Sequence, residues 1–150
     1  DLSKFLRSTT LRTSARNQFR GQITKILKGG INTEVELRLN ESSKIIATVT
    51  NESVKQMGLK KGAYAIALIK SSWIILSTDR DITTSARNRL EGTVNKIIKG
   101  KVNSEIQLNL GAEKRLSCIL TNESVNSLKL RKRQTAYALF KASSVILMSD

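Results

Sequence analysis

Histidine is missing from the sequence, and cysteine occurs only once, as Cys118. Without histidine, the chain lacks the commonest general base and the commonest ligand of transition metals. No cysteine pair or cluster of carboxylates takes its place, and no phosphate-binding loop or dinucleotide-binding glycine motif is present. These absences predict that the protein is not an enzyme, that no residue coordinates a metal cation directly and that no cofactor is needed.

Long apolar runs are missing as well. No stretch of about 18 apolar residues is present, so nothing is expected to span a membrane. Aromatic residues make up 4% and hydrophobic residues 39% of the chain, which is typical of a soluble, β-rich globular protein. No signal peptide is visible and a lone cysteine argues against a disulfide scaffold, so we predict a cytoplasmic protein. Cys118, which aligns with Ala47 in an internal repeat described below, is expected to be a small buried strand residue.

Acidic residues are few, and the formal net charge is +14. One interpretation is that this charge only keeps the protein soluble, and the alternative is direct binding of nucleic acid. Nucleic-acid surfaces on small β-barrels stack bases on aromatic side chains. The few aromatic residues here lie mostly in apolar strand contexts, which argues against that alternative. The positive field is still expected to assist the capture of small anions.

The sequence contains an internal repeat. Equivalent residues, such as Thr13 and Thr84, are 71 positions apart. Three runs recur at this spacing without a gap: 13–17 as 84–88, 50–54 as 121–125, and 67–70 as 138–141. The longest identical runs consist largely of Thr, Ser, Arg, Asn and Glu. Because a hydrophobic core does not require these residues, the repeat predicts a duplicated binding site.

Residues 13–79 and 84–150 are therefore predicted to be two domains of about 70 residues each, a size at which independent folding is feasible. Residues 1–12 belong to neither repeat. In this segment Leu2, Phe5 and Leu6 have the spacing of one face of a short helix. We interpret the segment as the remnant of a linker helix that follows an upstream domain.

Each repeat predicts five short strands and one short helix. In the first repeat the strands are expected at 19–27, 34–39, 44–49, 63–69 and 73–78. A helix capped by Thr50 or Asn51 should run through Met57 and end at Gly58. Five strands with a helix between the third and fourth outline an OB-like Greek-key barrel. The predicted fold is thus mainly all-β, with two five-stranded OB-like Greek-key barrels.

The recurring polar runs supply many hydrogen-bond donors. Cations and hydroxyls of the first repeat are Ser14, Arg16, Thr50, Ser53, Lys70 and Ser71. Those of the second are Ser85, Arg87, Thr121, Ser124 and Lys141, with Ala142 in place of Ser71. Ala15 and Gly21 are small enough for backbone amides to approach a ligand. This set suits a dianionic oxyanion that has no proton to donate.

A plainer interpretation of the same residues exists. Ser and Asn at a helix start are usually caps, and single exposed cations are usually solvated. Glu52 and Glu123 would repel an anion, and we interpret them as pointing to solvent or helping to cap the helix. Recurrence of all three runs, two of them exactly and the third with one substitution, in an alignment that has otherwise diverged, favours the binding site.

The runs 13–17, Thr-x-x-Ser at 50–53 and 136–146 closely resemble the molybdate-binding Mop domain. The resemblance covers residues 13–150 in tandem, as in a di-Mop unit. The segment 2–12 resembles the stretch that joins a winged-helix DNA-binding domain to the di-Mop region in the molybdate-responsive transcriptional regulators.

The resemblance implies how the anion is bound. One Mop unit supplies the Ser-Ala-Arg run, and another, often from a different subunit, supplies the Thr-x-x-Ser run and the Lys-Ala/Ser pair. The implied oxyanion-binding residues are Ser14, Ala15, Arg16, Thr50, Ser53, Lys70, Ser71, Ser85, Ala86, Arg87, Thr121, Ser124, Lys141 and Ala142. Trp73 stands where the second repeat has Ser144, and Ser71 replaces a usual Ala, so the sites are expected to be unequal.

The resemblance also implies a function. The ligand is molybdate or tungstate, and the protein is a homo-oligomer, expected to be a dimer. The chain would be the effector-sensing portion of a molybdate-dependent transcriptional regulator, which contacts DNA only through an N-terminal domain absent from this sequence. The alternative is a free di-Mop protein that stores or buffers molybdate.

Overall fold

The computed structural model describes residues 13–150, so the linker helix predicted for residues 1–12 lies outside the described residues. Strands of the first repeat are β1 (Asn17–Lys28), β2 (Asn32–Arg38), β3 (Lys44–Thr50), β4 (Tyr64–Ile69) and β5 (Ile75–Ser77). Strands of the second are β6 (Asn88–Lys99), β7 (Asn103–Gly111), β8 (Lys114–Thr121), β9 (Thr135–Phe140) and β10 (Ile146–Ser149). Helix α1 (Asn51–Met57) follows β3, and helix α2 (Asn122–Ser127) follows β8.

The predicted mainly all-β fold is confirmed, with two five-stranded antiparallel sheets. Alternating burial along β2 places Val35 and Leu37 in the core and leaves the charged residues at 34, 36 and 38 half-exposed on the other face, as a half-buried strand requires. The two helices are short, and none among the described residues is long and apolar enough to cross a bilayer.

The compact units exchange their last strands. Among the described residues, one unit comprises 13–69 together with Lys141–Asp150, and its strand order is β10-β4-β1-β2-β3. β10 also contacts β3, which brings the two ends of that order together. Arg20 in β1 forms an ion pair with the side-chain carboxylate of Asp150 at 2.8 Å. This ion pair fastens the exchanged strand, β10, to β1.

The other unit, Lys70–Phe140, has the corresponding order β5-β9-β6-β7-β8. Its fifth strand comes from the first repeat, and β5 contacts β8. This strand begins at Ile75 and not at Trp73, because Ser71–Trp73 forms a 3-10 helix. Ala142–Ser144 forms the equivalent 3-10 helix ahead of β10.

Gly21 has a structural role. A Cβ at Gly21 would lie 2.6 Å from the backbone oxygen of Arg38 on the neighbouring strand, closer than such atoms approach. Its small size therefore serves the pairing of β1 with β2, and this accounts for Gly21 without a ligand.

We expect Gly21→Ala to lower the free energy of unfolding by about 1–3 kcal/mol, because the added methyl group meets backbone that cannot move aside cheaply. Gly30→Ala is the matched control, since a Cβ there has no heavy atom within 4 Å. Urea denaturation of both variants measures the difference. Equal stabilities would show that β1 and β2 separate without cost at this point.

Cys118 lies in β8 and is fully buried, as the sequence predicts. Burial raises the pKa of its thiol to about 12 from an ordinary value of 9.0, and the Glu105 carboxylate adds to the rise. The thiolate, the reactive form, is therefore suppressed in the folded protein.

This burial makes stability depend on pH. Above pH 9 the thiol ionises in the unfolded chain but not in the folded one, so the free energy of unfolding should fall by up to about 1.4 kcal/mol per pH unit between 9 and 12. Cys118→Ala introduces the residue that the first repeat has at the equivalent position, Ala47. This variant should lack the fall in the free energy of unfolding that thiol ionisation causes. Denaturation of both proteins at pH 8 and pH 10 tests this, and identical pH slopes would contradict it.

Candidate oxyanion site

The Thr-x-x-Ser run is the N-terminal cap of α1. Thr50 Oγ1 accepts a hydrogen bond from the Ser53 backbone N–H at 3.1 Å and donates one to Ser53 Oγ at 2.8 Å. The second repeat reproduces this geometry, with 3.1 Å and 2.9 Å between Thr121 and Ser124. Each serine hydroxyl accepts from its threonine and keeps its own proton to donate. The run therefore acts as a cap and still offers a donor.

Asn51 is part of the architecture. Its side-chain oxygen accepts from the buried Thr33 hydroxyl at 2.6 Å, and its amide nitrogen donates to the carbonyls of Gly29 and Gly30. Its backbone N–H donates to Ile31 O at 3.0 Å. These bonds fasten the start of α1 to the turn between β1 and β2, so this side chain is occupied within the fold.

The second repeat makes the same connection with a serine hydroxyl in place of the threonine hydroxyl. Ser104 takes the place of Thr33 and donates to the Asn122 side-chain oxygen at 2.5 Å, while the Asn122 amide binds Gly100 O. Glu52 is exposed and accepts from Gln56 along α1. The recurrence of Asn in the polar run is thus explained by folding alone.

The Ser-Ala-Arg run lies immediately before β1. Ser14 and Arg16 are exposed, whereas Ala15 is buried against Ile66 and Leu68. The Ala15 backbone N–H donates to Thr13 Oγ1 at 3.1 Å, as the Ala86 N–H does to Thr84 Oγ1 at 2.8 Å. An anion that takes these amides would therefore have to share them with a threonine.

The asparagine that ends this run connects it to β4. Asn17 is 2% exposed, pairs with Ile69 in the β1–β4 ladder and donates its side-chain amide to Ile69 O at 3.1 Å. Lys70 is the next residue in the chain. In the other unit Asn88 pairs with Phe140, the residue before Lys141.

The strand exchange changes which residues share a unit. The 3-10 helix Ala142–Ser144, which follows Lys141, packs against β3, the strand that ends at Thr50. The 3-10 helix Ser71–Trp73, which follows Lys70, packs against β8, the strand that ends at Thr121. Each lysine segment thus accompanies the Thr-x-x-Ser run of the other repeat.

Ser71 differs from its counterpart Ala142 in carrying a hydroxyl. Its Oγ is buried and has no hydrogen-bond partner among residues 13–150. Leaving a buried hydroxyl unpaired is costly, so a bound acceptor would satisfy it. Nearby, the Lys70 ammonium lies 5.4 Å from the centre of the Trp73 ring. The fluorescence of this tryptophan should therefore respond to a ligand bound at Lys70.

Within the first unit the two polar runs lie at opposite ends of β1. Asn17 begins this strand, whereas Thr50 pairs with Asn32 beside the turn that follows Lys28. Twelve strand residues place these points on the order of 30 Å apart along the strand. One tetrahedral anion reaches donors at about 3 Å, so it cannot use both runs of a single unit.

The described residues contain no group of three or more His, Cys, Asp or Glu side chains that could hold a metal ion. Apart from the alanines, the predicted site residues themselves are serines, threonines, arginines and lysines, which offer donated hydrogen bonds and positive charge. That chemistry suits an anion.

Two regions of the chain, 13–76 and 84–147, match the family model described as the TOBE domain. The chain is 40% identical over 147 residues to the molybdenum transport protein ModE of Herbaspirillum seropedicae, covering 97% of this chain and 55% of that protein. It is 43% identical over 141 residues to the molybdenum-pterin-binding protein MopA of Rhodobacter capsulatus, covering 93% of this chain and 53% of that protein. The chain thus spans about half the length of these relatives.

One solved structure matches this chain over the full length of its own chain. The cytoplasmic molybdate-binding protein ModG, in a form with molybdate bound, matches with a TM-score of 0.89 and 38% sequence identity. The match covers 93% of this chain and 100% of ModG. The sequence comparisons and the structure comparison therefore both extend over the two repeats.

Proposed function

The chain belongs to the TOBE-domain family as a tandem of two such domains, and on that premise we propose that it binds molybdate and tungstate at sites completed by more than one copy of the chain. The resemblance to tandem Mop domains is confirmed. The ligand is a tetrahedral dianion without a proton, which matches a site built from donors alone.

The observation that carries this proposal is the match to ModG. The full length of a chain solved with molybdate bound aligns with 93% of this one at 38% identity, well above the level at which only the fold is shared. Beside it stands the recurrence of exposed donors at Ser14, Arg16 and Lys70 and of a half-buried one at Ser53, which the fold does not need for its core.

We propose separate chains as the source of the two polar runs. The runs of one unit lie too far apart to share an anion, so the two runs at one anion belong to different units. By the resemblance to Mop domains, one chain supplies the Ser-Ala-Arg run and a neighbouring chain supplies the Thr-x-x-Ser run. The Lys-Ala/Ser segments complete the donor set. The residues proposed are Ser14, Ala15, Arg16, Thr50, Ser53, Lys70, Ser71, Ser85, Ala86, Arg87, Thr121, Ser124, Lys141 and Ala142.

The role we propose for this binding is effector sensing in a molybdate-dependent transcriptional regulator. Relatives described as transcriptional regulators ModE, such as that of Yersinia pestis at 32% identity, have about half their length matched by this chain. A free di-Mop protein that buffers molybdate is the second candidate, and the complete coverage of ModG favours it. Sequencing the full gene decides, since an upstream helix-turn-helix domain identifies the regulator.

Neither role involves catalysis, and both suit the cytoplasm, where ModG is described as acting. We therefore propose a cytoplasmic binding protein rather than an enzyme.

We expect titration calorimetry at neutral pH to show molybdate and tungstate binding, with phosphate about 5- to 150-fold weaker. Phosphate keeps a proton at this pH, and a site of donors leaves that proton without an acceptor at a cost of about 1–3 kcal/mol. Sulfate has no proton but is smaller, so it should bind more weakly than molybdate. Phosphate that binds as tightly as molybdate would refute a site built only from donors.

A further inference from the structure

The loop that follows the helix carries more positive charge in the second repeat than in the first. In the first repeat it reads Gly58-Leu59-Lys60-Lys61-Gly62, and in the second Lys129-Leu130-Arg131-Lys132-Arg133. Both glycines of the first loop are replaced by cations in the second. The second loop therefore carries four positive charges in five residues, twice as many as the first.

These cations stand where the backbone disfavours them. Gly58 and Gly62 have φ values of 61° and 93°, in the left-handed region that suits glycine. Lys129 and Arg133 hold φ values of 52° and 71° at the same positions. A side chain retained in a strained conformation is an observation that points to a function for that side chain.

The four cations are available to a partner. Lys129, Arg131, Lys132 and Arg133 are all exposed, and none of their side chains forms an ion pair with any residue in the described part of the chain. Anions in solution therefore reach them without displacing a carboxylate.

A polar cavity of about 290 Å³ lies beside this loop, within the same unit. Its lining residues, none of them acidic, are Thr93, Val94, Asn95, Asn109, Lys132 and Arg133. Two hydrogen bonds to Val94, from Arg133 N to Val94 O and from Val94 N to Gln134 O, each 2.8 Å, fix the loop against β6. The cations are thus presented on a loop that is held against β6 by backbone hydrogen bonds.

We propose that the loop 129–133 and this cavity form a binding surface for the phosphate backbone of double-stranded nucleic acid. Exposed lysine and arginine side chains bind a lone small anion only weakly in water, whereas a regular array of phosphates engages several at once and releases bound counterions. The lining contains no aromatic side chain on which an unpaired base could stack, which favours a duplex over a single strand. Such contacts position a duplex without selecting its sequence.

This surface is separate from the proposed oxyanion residues and does not depend on the proposed function. The loop contains none of them, and its charge excess is confined to the second repeat. Loss of molybdate binding and loss of duplex binding are therefore distinguishable in one set of variants.

The test uses the whole chain and a short fluorescent DNA duplex, followed by anisotropy between ~50 and ~200 mM salt. The double variant Lys129→Gly/Arg133→Gly restores the residues of the first loop, so it removes two charges while relieving the backbone. We expect its affinity for the duplex to fall about 10- to 60-fold near 0.1 M salt, and the slope of log affinity against log salt to decrease by about 2. Molybdate affinity should stay unchanged.

The matched control is Lys60→Gln/Lys61→Gln, which removes the same charge from the loop of the first repeat. Its duplex affinity should stay close to that of the unaltered protein. An equal loss in both variants would show a general effect of net charge and overturn the proposal. Absence of duplex binding at ~50 mM salt would do the same. Inorganic tripolyphosphate binding as tightly as the duplex, and lost in Lys129→Gly/Arg133→Gly, would assign the surface to a small anion instead.

Discussion

Arg16→Ala is expected to weaken molybdate binding by about 10- to 150-fold at the sites that use Arg16, while the fold remains intact. The guanidinium would contribute a charged hydrogen bond to the anion, and such a bond is worth about 1.5–3 kcal/mol. Arg16 is exposed and precedes β1, so its removal leaves the core untouched. Arg87 is unchanged in this variant, so calorimetry should resolve one weakened and one unaltered class of sites.

Lys70→Ala is expected to act similarly, and it has an optical signal of its own. Trp73 is the single tryptophan of the chain, and the Lys70 ammonium lies 5.4 Å from its ring. Molybdate bound at Lys70 should therefore change tryptophan fluorescence in the unaltered protein. That change should vanish in Lys70→Ala.

Lys25→Ala is the matched control for both variants. Lys25 is an exposed cation in the middle of β1, so its loss changes the net charge equally. It should leave affinity and fluorescence unchanged. If Arg16→Ala and Lys70→Ala also bind molybdate with full affinity, these cations are only solvated surface residues and the site lies elsewhere.

Local signals in the sequence account for the elements of the fold. Thr50 caps α1 and Gly58 ends it with a φ of 61°, as the sequence predicts, because both roles depend on a few neighbouring residues. Strand periodicity likewise reflects which face of a strand is buried. Such information is contained within about ten residues of chain.

The exchange of the last strands is not contained in any local signal. β5 and β10 both begin with an exposed isoleucine followed by a buried leucine, so their burial patterns cannot assign them to different units. The choice depends on long-range pairing, such as Ile146 with Leu68 and Ile75 with Leu139. For the same reason, the sequence could not indicate which lysine segment accompanies which Thr-x-x-Ser run.

The polar runs show a second limit of sequence reasoning. Recurrence suggested a duplicated binding site, yet Asn51 and Asn122, which recur in the same runs, are occupied in fastening their helices to a turn. Recurrence therefore marks any role that both repeats share, architectural or functional. What separates the two roles is whether a donor remains unoccupied, as at the Ser53 hydroxyl.

The surface that a neighbouring chain covers is expected to include the hairpin turns next to the Thr-x-x-Ser runs. Ile31 and Val102 are 80% and 70% exposed at equivalent positions in the two repeats, and Leu27 and Ile98 are 64% and 46% exposed beside them. The carbonyls of Ile31 and Val102 accept from Asn51 and Asn122, so each turn is joined directly to a capped helix. Exposed apolar residues in pairs are typical of association surfaces.

We expect the protein to be a dimer or larger oligomer whose dissociation constant falls when molybdate is present. An anion held by donors of two chains binds only the assembled state, so it stabilises that state by mass action, by about 2.7 kcal/mol at a free concentration one hundred times its dissociation constant. In a regulator, the difference between the anion's affinities for two arrangements of the subunits would set how far the anion can shift their packing. Sedimentation with and without molybdate measures the dissociation constant of the oligomer.

The double variant Ile31→Ser/Val102→Ser separates assembly from ligand chemistry. It retains every proposed anion donor but removes apolar area from both hairpin turns, so it should dissociate at concentrations where the unaltered protein is assembled and should bind molybdate more weakly. High protein concentration should restore binding, because assembly and ligand are linked in both directions. A monomer that binds molybdate with full affinity would mean that one chain supplies all the donors, and the separation of the two runs along β1 would then need another explanation.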